Sequence, residues 1–91
     1  MRKPERESKI EKAGSDFAEL RGWFEFKIMV ASKKGIPDRF YARRGRQLFV
    51  EWKRDGEPPN AQQLKRHREM RAAGIEVHVL DNIEEAYELF R

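Results

Sequence analysis

The heptapeptide Leu48-Phe49-Val50-Glu51-Trp52-Lys53-Arg54 constrains this chain more than any other stretch. In an extended strand successive side chains leave on opposite faces, so Val50 and Trp52 turn together toward a core while Glu51 and Lys53 emerge on the other side. An acid and a base then stand side by side on a sheet. Upstream lies Gly35-Ile36-Pro37-Asp38. Proline fixes its own φ and pushes Ile36 toward extended geometry, which suits a turn or strand entry. A hairpin from Arg39 to Arg54 would bring Asp38 beside Glu51. Two carboxylates and one lysine are the minimum set for metal-assisted hydrolysis of a phosphodiester.

The rest of the chain supplies elements around that hairpin. Ile10, Ala13, Phe17 and Leu20 are spaced for one face of a helix over 5–20, ended by Arg21-Gly22. Gly14 lies inside it and favours close packing against the sheet over helix propensity. Phe24, Phe26, Ile28 and Val30 alternate with Glu25, Lys27 and Met29, the period of a half-buried strand. Arg39 to Ala42 and Gln47 to Arg54 read as two strands joined around Arg43-Arg44-Gly45-Arg46, where Gly45 supplies a positive φ. Asn60 suits the N-cap of a helix over 61–73 with Leu64, His67 and Met70 on one stripe, closed by Gly74. A strand over 75–80 and a helix over 83–90 complete the order αβββαβα. The expected fold class is α/β, a mixed central sheet flanked by helices. No repeat, linker or low-complexity run divides it, so residues 1–91 are expected to form one domain.

Composition narrows the chemistry. With 20 basic and 16 acidic residues the net charge is only +4, a densely charged surface that suits a polyanionic partner without demanding one. Cysteine is absent, which excludes disulfides, thiolate metal sites and cysteine nucleophiles. Any metal must be held by oxygen or by the two histidines, and His67 and His78 lack paired ligand spacing, so zinc is not expected. Both are assigned packing or surface roles, and Trp23 and Trp52 core or interface roles. The N-terminus lacks a signal-peptide apolar stretch and no run approaches membrane-spanning length, so a cytoplasmic protein is expected.

The element order, with these acids and bases where they stand, resembles the PD-(D/E)xK nuclease superfamily, which has a restriction-endonuclease-like core. The nearest resemblance is to its virus-type replication-repair nuclease (VRR-NUC) family. It covers nearly the whole chain. It implies a divalent metal, Mg²⁺ with Mn²⁺ able to substitute, held by Asp38, Glu51 and the backbone carbonyl of Trp52, with Lys53 orienting or activating water. It also implies a glutamate on the first helix, Glu7 with Glu11 in reserve, and a glutamine near the start of the later helix, Gln63. Where family members often carry Leu-Ser-x-x-Gln, this chain has Pro59-Asn60-Ala61-Gln62-Gln63. Small stand-alone members resemble Holliday-junction resolvases, which implies a homodimer, branched DNA and a bacterial or phage-infected cell.

Oxygen donors suit Mg²⁺ or Mn²⁺ on chemical grounds as well. Either half of the signature alone is weak: Glu-x-Lys is a common strand charge pair, and Gly-x-Pro-Asp a common turn. Joined, in order, they carry far more. Lys33, Lys34, Arg39, Arg43, Arg44 and Arg46 form a basic set around the motif and are read as DNA contacts, against a solvated rim. Lys65, Arg66, Arg68 and Arg71 read as an ordinary exposed helix face. The alternative to a nuclease is a DNA-binding module that keeps the fold and has lost catalysis.

Overall fold

A computed structural model describes residues 4–91. The elements are α1 (Glu7–Leu20), β1 (Phe24–Lys27), β2 (Arg39–Arg43), β3 (Arg46–Trp52), α2 (Ala61–Ala72), β4 (Glu76–Leu80) and α3 (Ile83–Phe90). The strands form one sheet in the order β1-β2-β3-β4, antiparallel until the last pair, which is parallel. The crossover that parallel pairing requires is α2. The expected order and the mixed sheet are both present.

Arg43 pairs with Arg46 across a two-residue turn in which Arg44 and Gly45 have φ of 51° and 82°. Positive φ at both positions matches the twist of the flanking strands and sets the register of the hairpin. In that register Leu48, Val50 and Trp52 are fully buried with Tyr41, Ile10, Ala86 and Phe90, the core that α1 and α3 form against one face of the sheet. Close approach is made possible by Gly14, where a Cβ would stand 2.3 Å from the Trp52 ring. Inside this core the Tyr41 hydroxyl accepts from Trp52 Nε1 at 3.1 Å and pairs with Ser15 Oγ at 2.8 Å, so no buried polar atom of the three is left unpaired.

The opposite face carries Phe49, Glu51 and Lys53, with only α2 laid over its β4 end. Three expectations change here. Strand β1 stops at Lys27 rather than running to Val30, because its register would set Met29 opposite Pro37, which has no N–H to extend the ladder. The aromatic side of β1 is also the open side, with Phe24 65% and Phe26 47% exposed. Glu25 faces α1 instead, because Arg39 draws it in. Phe24, Phe26, Phe40 and Phe49 follow one another across the open face with ring centroids 6.1, 5.2 and 5.2 Å apart. On α2 the expected stripe shrinks to His67 and Met70, and Leu64 is exposed. No helix among the described residues is long and apolar enough to cross a membrane.

Candidate active site

The loop over 35–38 is clamped from two sides. Gly35, at φ 82°, approaches α2 so closely that a Cβ would meet the Gln62 carbonyl oxygen at 2.7 Å, and Arg66 Nε donates to the Lys34 carbonyl at 2.8 Å. Pro37 is fully buried. Asp38 then enters the sheet: its N–H donates to the Val50 carbonyl at 3.0 Å, and its carbonyl accepts from Ile28 at 2.7 Å. Its Oδ2 accepts from the Trp52 N–H at 2.7 Å. The Asp38 carboxylate is thereby tied to the strand that carries Glu51 and Lys53.

Glu51 is 2% exposed. Burial first, then the charge of Asp38 and hydrogen bonding toward it, push Glu51 up to about 8, against the opposing pull of Lys53. Two carboxyls that cannot both ionise comfortably form a place where positive charge is wanted. Lys53 is nearly buried, its N–H bonded to the Leu80 carbonyl at 2.9 Å and its ammonium 3.9 Å from Glu57. Glu7, in the first turn of α1, is raised by partial burial and next by Asp38 and Glu11. It therefore stands within the field of the site. Glu11 is engaged elsewhere, accepting from Arg39 Nε at 2.6 Å, while Arg39 Nη1 donates to Glu25, also at 2.6 Å.

Gln63 forms a capping box with Asn60, the Gln63 N–H donating to Asn60 Oδ1 at 2.8 Å and the Asn60 N–H to Gln63 Oε1 at 2.9 Å. The cap fixes where α2 begins and so where His67, one turn on, enters the site. His67 is fully buried with Nε2 3.7 Å from Glu51 Oε1. Burial, then the charges of Arg71 and Lys53, push its imidazole below the usual range.

The basic set divides. Strand alternation takes Arg39 and Arg43 to the α1 side of the sheet, away from Glu51 and Lys53. Arg43 donates to the carbonyls of Arg21 and Arg91 at 2.9 Å and lies 4.6 Å over the Trp23 ring. Arg46 pairs with Glu76 at 2.6 Å, holding that carboxyl down at about 2 with help from His78. Lys33, Lys34 and Arg44 are exposed.

Among the described residues no three acidic or imidazole side chains gather closely enough to enclose a cation alone. Asp38 and Glu51 provide two carboxylates, and the Trp52 carbonyl belongs to the residue whose N–H holds Asp38. Hard oxygen donors of this kind fit Mg²⁺ or Mn²⁺.

No protein-family model matches the chain. A phage relative named "Putative nuclease p44", from Acyrthosiphon pisum secondary endosymbiont phage 1, is 37% identical over 78 residues, covering 85% of this chain and 84% of that protein. A solved structure described as a VRR_NUC domain superposes with a TM-score of 0.85 at 28% identity, over 93% of this chain and 94% of its own. The chain belongs to the VRR-NUC family. Its sheet order and its α2 crossover are thus those of a VRR-NUC domain.

The proton on Glu51 has a measurable consequence in the metal-free VRR-NUC protein. The folded state keeps that proton up to about pH 8, whereas the unfolded chain releases it near 4.5. The folded state therefore binds more protons between those values, and stability falls as pH rises through the window. Thermal melts in EDTA are expected to show a falling midpoint from about pH 6.5 to 8, flattened by Glu51→Gln; below that range the lowered imidazole of His67 acts in the opposite direction. The ion pair of Glu76 acts lower, between about 4.5 and 2, and also in the opposite direction. A midpoint that rises between about pH 6.5 and 8 would show that Glu51 is ionised.

Proposed function

We propose that this protein is a metal-dependent endodeoxyribonuclease that cuts branched DNA as a homodimer. The observation that carries the reading is the Asp38 carboxylate, held at 2.7 Å by the N–H of Trp52, on the strand pair that carries the buried Glu51 and Lys53 in a VRR-NUC fold. Asp38, Glu51 and the Trp52 carbonyl would hold Mg²⁺ or Mn²⁺. Such an ion supplies Lewis-acid stabilisation of charge on the phosphoryl and departing 3′ oxygens. Water gives up a proton to solvent as it attacks phosphorus, a new P–O bond forms, and the bond to the 3′ oxygen breaks as that oxygen takes a proton from solvent, leaving a 5′ phosphate and a 3′ hydroxyl.

The chain's own groups do the positioning. Lys53 donates N–H bonds to the attacking water and a phosphate oxygen, and its charge offsets that of the scissile group. Glu7, at the mouth of the site, accepts a hydrogen bond from the same water. Gln63 sets the start of α2 and offers its amide to a carboxylate or the nucleophile. Lys33, Lys34 and Arg44 are the exposed cations available to the phosphate backbone, which gives salt-dependent binding and little base reading. A phage relative and the absence of a long apolar helix among the described residues support action in the cytoplasm of a bacterial or phage-infected cell.

A twofold dimer places two such sites on two strands. Its interface is the open aromatic side of β1, where Phe24, Phe26, Met29 and Val30 are all exposed. Exposed apolar side chains gathered in this way on a small domain suit an interaction surface. Sedimentation is expected to find a dimer that the double change Phe24→Ser, Phe26→Ser weakens by about a hundredfold. Wild type should leave paired symmetric nicks in a four-way junction, and the double variant should leave single uncoupled ones. A wild-type monomer, or cutting of linear duplex equal to that of junctions, would remove the resolvase part of the proposal.

A further inference from the structure

The histidine on α2 is not explained by packing. Among the described residues three buried side-chain nitrogen or oxygen atoms lack a hydrogen-bond partner: Glu51 Oε1, His67 Nδ1 and His67 Nε2. All three belong to one facing pair, with Nε2 3.7 Å from Oε1. That distance is too long for a hydrogen bond, yet less than 1 Å of side-chain movement would close it. A leucine or methionine would fill the same position without orphaned atoms, so the imidazole needs a reason to be there.

We infer that His67 is a positioning residue for the candidate metal centre, its Nε2–H holding Glu51 Oε1 so that the remaining carboxylate oxygen is turned toward Asp38. The inference rests on the nuclease reading above and deepens it. Glu51 reaches the site from a strand and His67 from the helix whose start the Asn60–Gln63 box fixes, so the orientation of the carboxylate is tied to the seating of α2 on the sheet. A neutral imidazole has one N–H to give, and a carboxylate that binds a cation through one oxygen has the other free to accept it.

Calorimetric titration of Mn²⁺ into the metal-free protein, read beside its melting temperature, tests this. His67→Leu is expected to weaken Mn²⁺ binding by about 10- to 100-fold, with the metal-free melting temperature unchanged or raised. His67→Gln, whose amide can present an N–H near the place of Nε2, should recover part of the affinity. If His67→Leu does not fold, His67→Asn takes its place and must show the same loss, since its shorter amide stops near Nδ1. Unchanged Mn²⁺ affinity in a folded His67 variant beside a binding wild type would overturn the role of His67 alone. A wild type that binds no Mn²⁺ would overturn it together with the metal site.

Discussion

Asp38→Asn is expected to lower DNA cleavage by about a thousandfold or more while the metal-free protein melts higher than wild type at pH 8. Asparagine keeps the shape and an oxygen to accept the Trp52 N–H, which holds Asp38 Oδ2 at 2.7 Å. What disappears is the negative charge. Loss of a charged ligand at a site built to stabilise developing charge costs about 10²- to 10³-fold for a single contact, and more where the ion itself is lost. The same charge is, after burial, the largest influence holding Glu51 up at about 8. Its removal relieves a like-charge conflict, a gain of about 1 kcal/mol, or roughly 4–8 °C for a domain of this size. Loss of activity with loss of stability would show instead that Asp38 is mainly structural.

Gly14→Ala should produce the second large effect, and its sign is decided by two opposing magnitudes. In a helix interior alanine is better than glycine by about 1 kcal/mol. Here the added Cβ would stand 2.3 Å from the ring of Trp52 and 3.1 Å from Ala86 Cβ. Trp52 is fully buried and tied to Tyr41, so it has little freedom to give way. Overpacking of this kind costs about 1–3 kcal/mol and sometimes more. The clash exceeds the propensity gain, so a net loss of about 1–2 kcal/mol is expected, a fall of several degrees in melting temperature. Because the Trp52 N–H anchors Asp38, cleavage should fall too, even with no change in any charged group. A stabilised Gly14→Ala protein would mean that α1 can slide away from the sheet.

How much of this was legible beforehand depended on which side of each element the rest of the chain would occupy. The order αβββαβα could be read because each segment carries its own period, and the hairpin around Gly45 because the turn chemistry is local. Alternation along β3 also separates Val50 and Trp52, in the core, from Glu51 and Lys53 on the other face, as found, although that face is itself buried there. For β1 the same rule identified two faces but not which one α1 covers. The Glu11, Arg39 and Glu25 cluster spans three elements far apart in sequence, and it turns Phe24 and Phe26 to the open side.

The same difficulty affects the basic residues. Their closeness in sequence to the motif says nothing of strand parity, which carries Arg39 and Arg43 to the opposite face. From sequence His67 reads as a stripe residue of α2 with a packing or surface role. The available signal was its position four residues after Gln63, one helical turn, which puts both on one face. What could not be read was that this face meets Glu51.

The most direct test is cleavage of labelled four-way junction, flap, linear duplex and single-stranded DNA by the wild-type protein in Mg²⁺, in Mn²⁺ and in EDTA. The account predicts cutting in either metal, fastest on the junction, and none in EDTA. Cutting that persists in EDTA, or salt-sensitive binding with no cutting in any metal, would contradict it, the latter leaving a DNA-binding module that keeps the VRR-NUC fold without its chemistry.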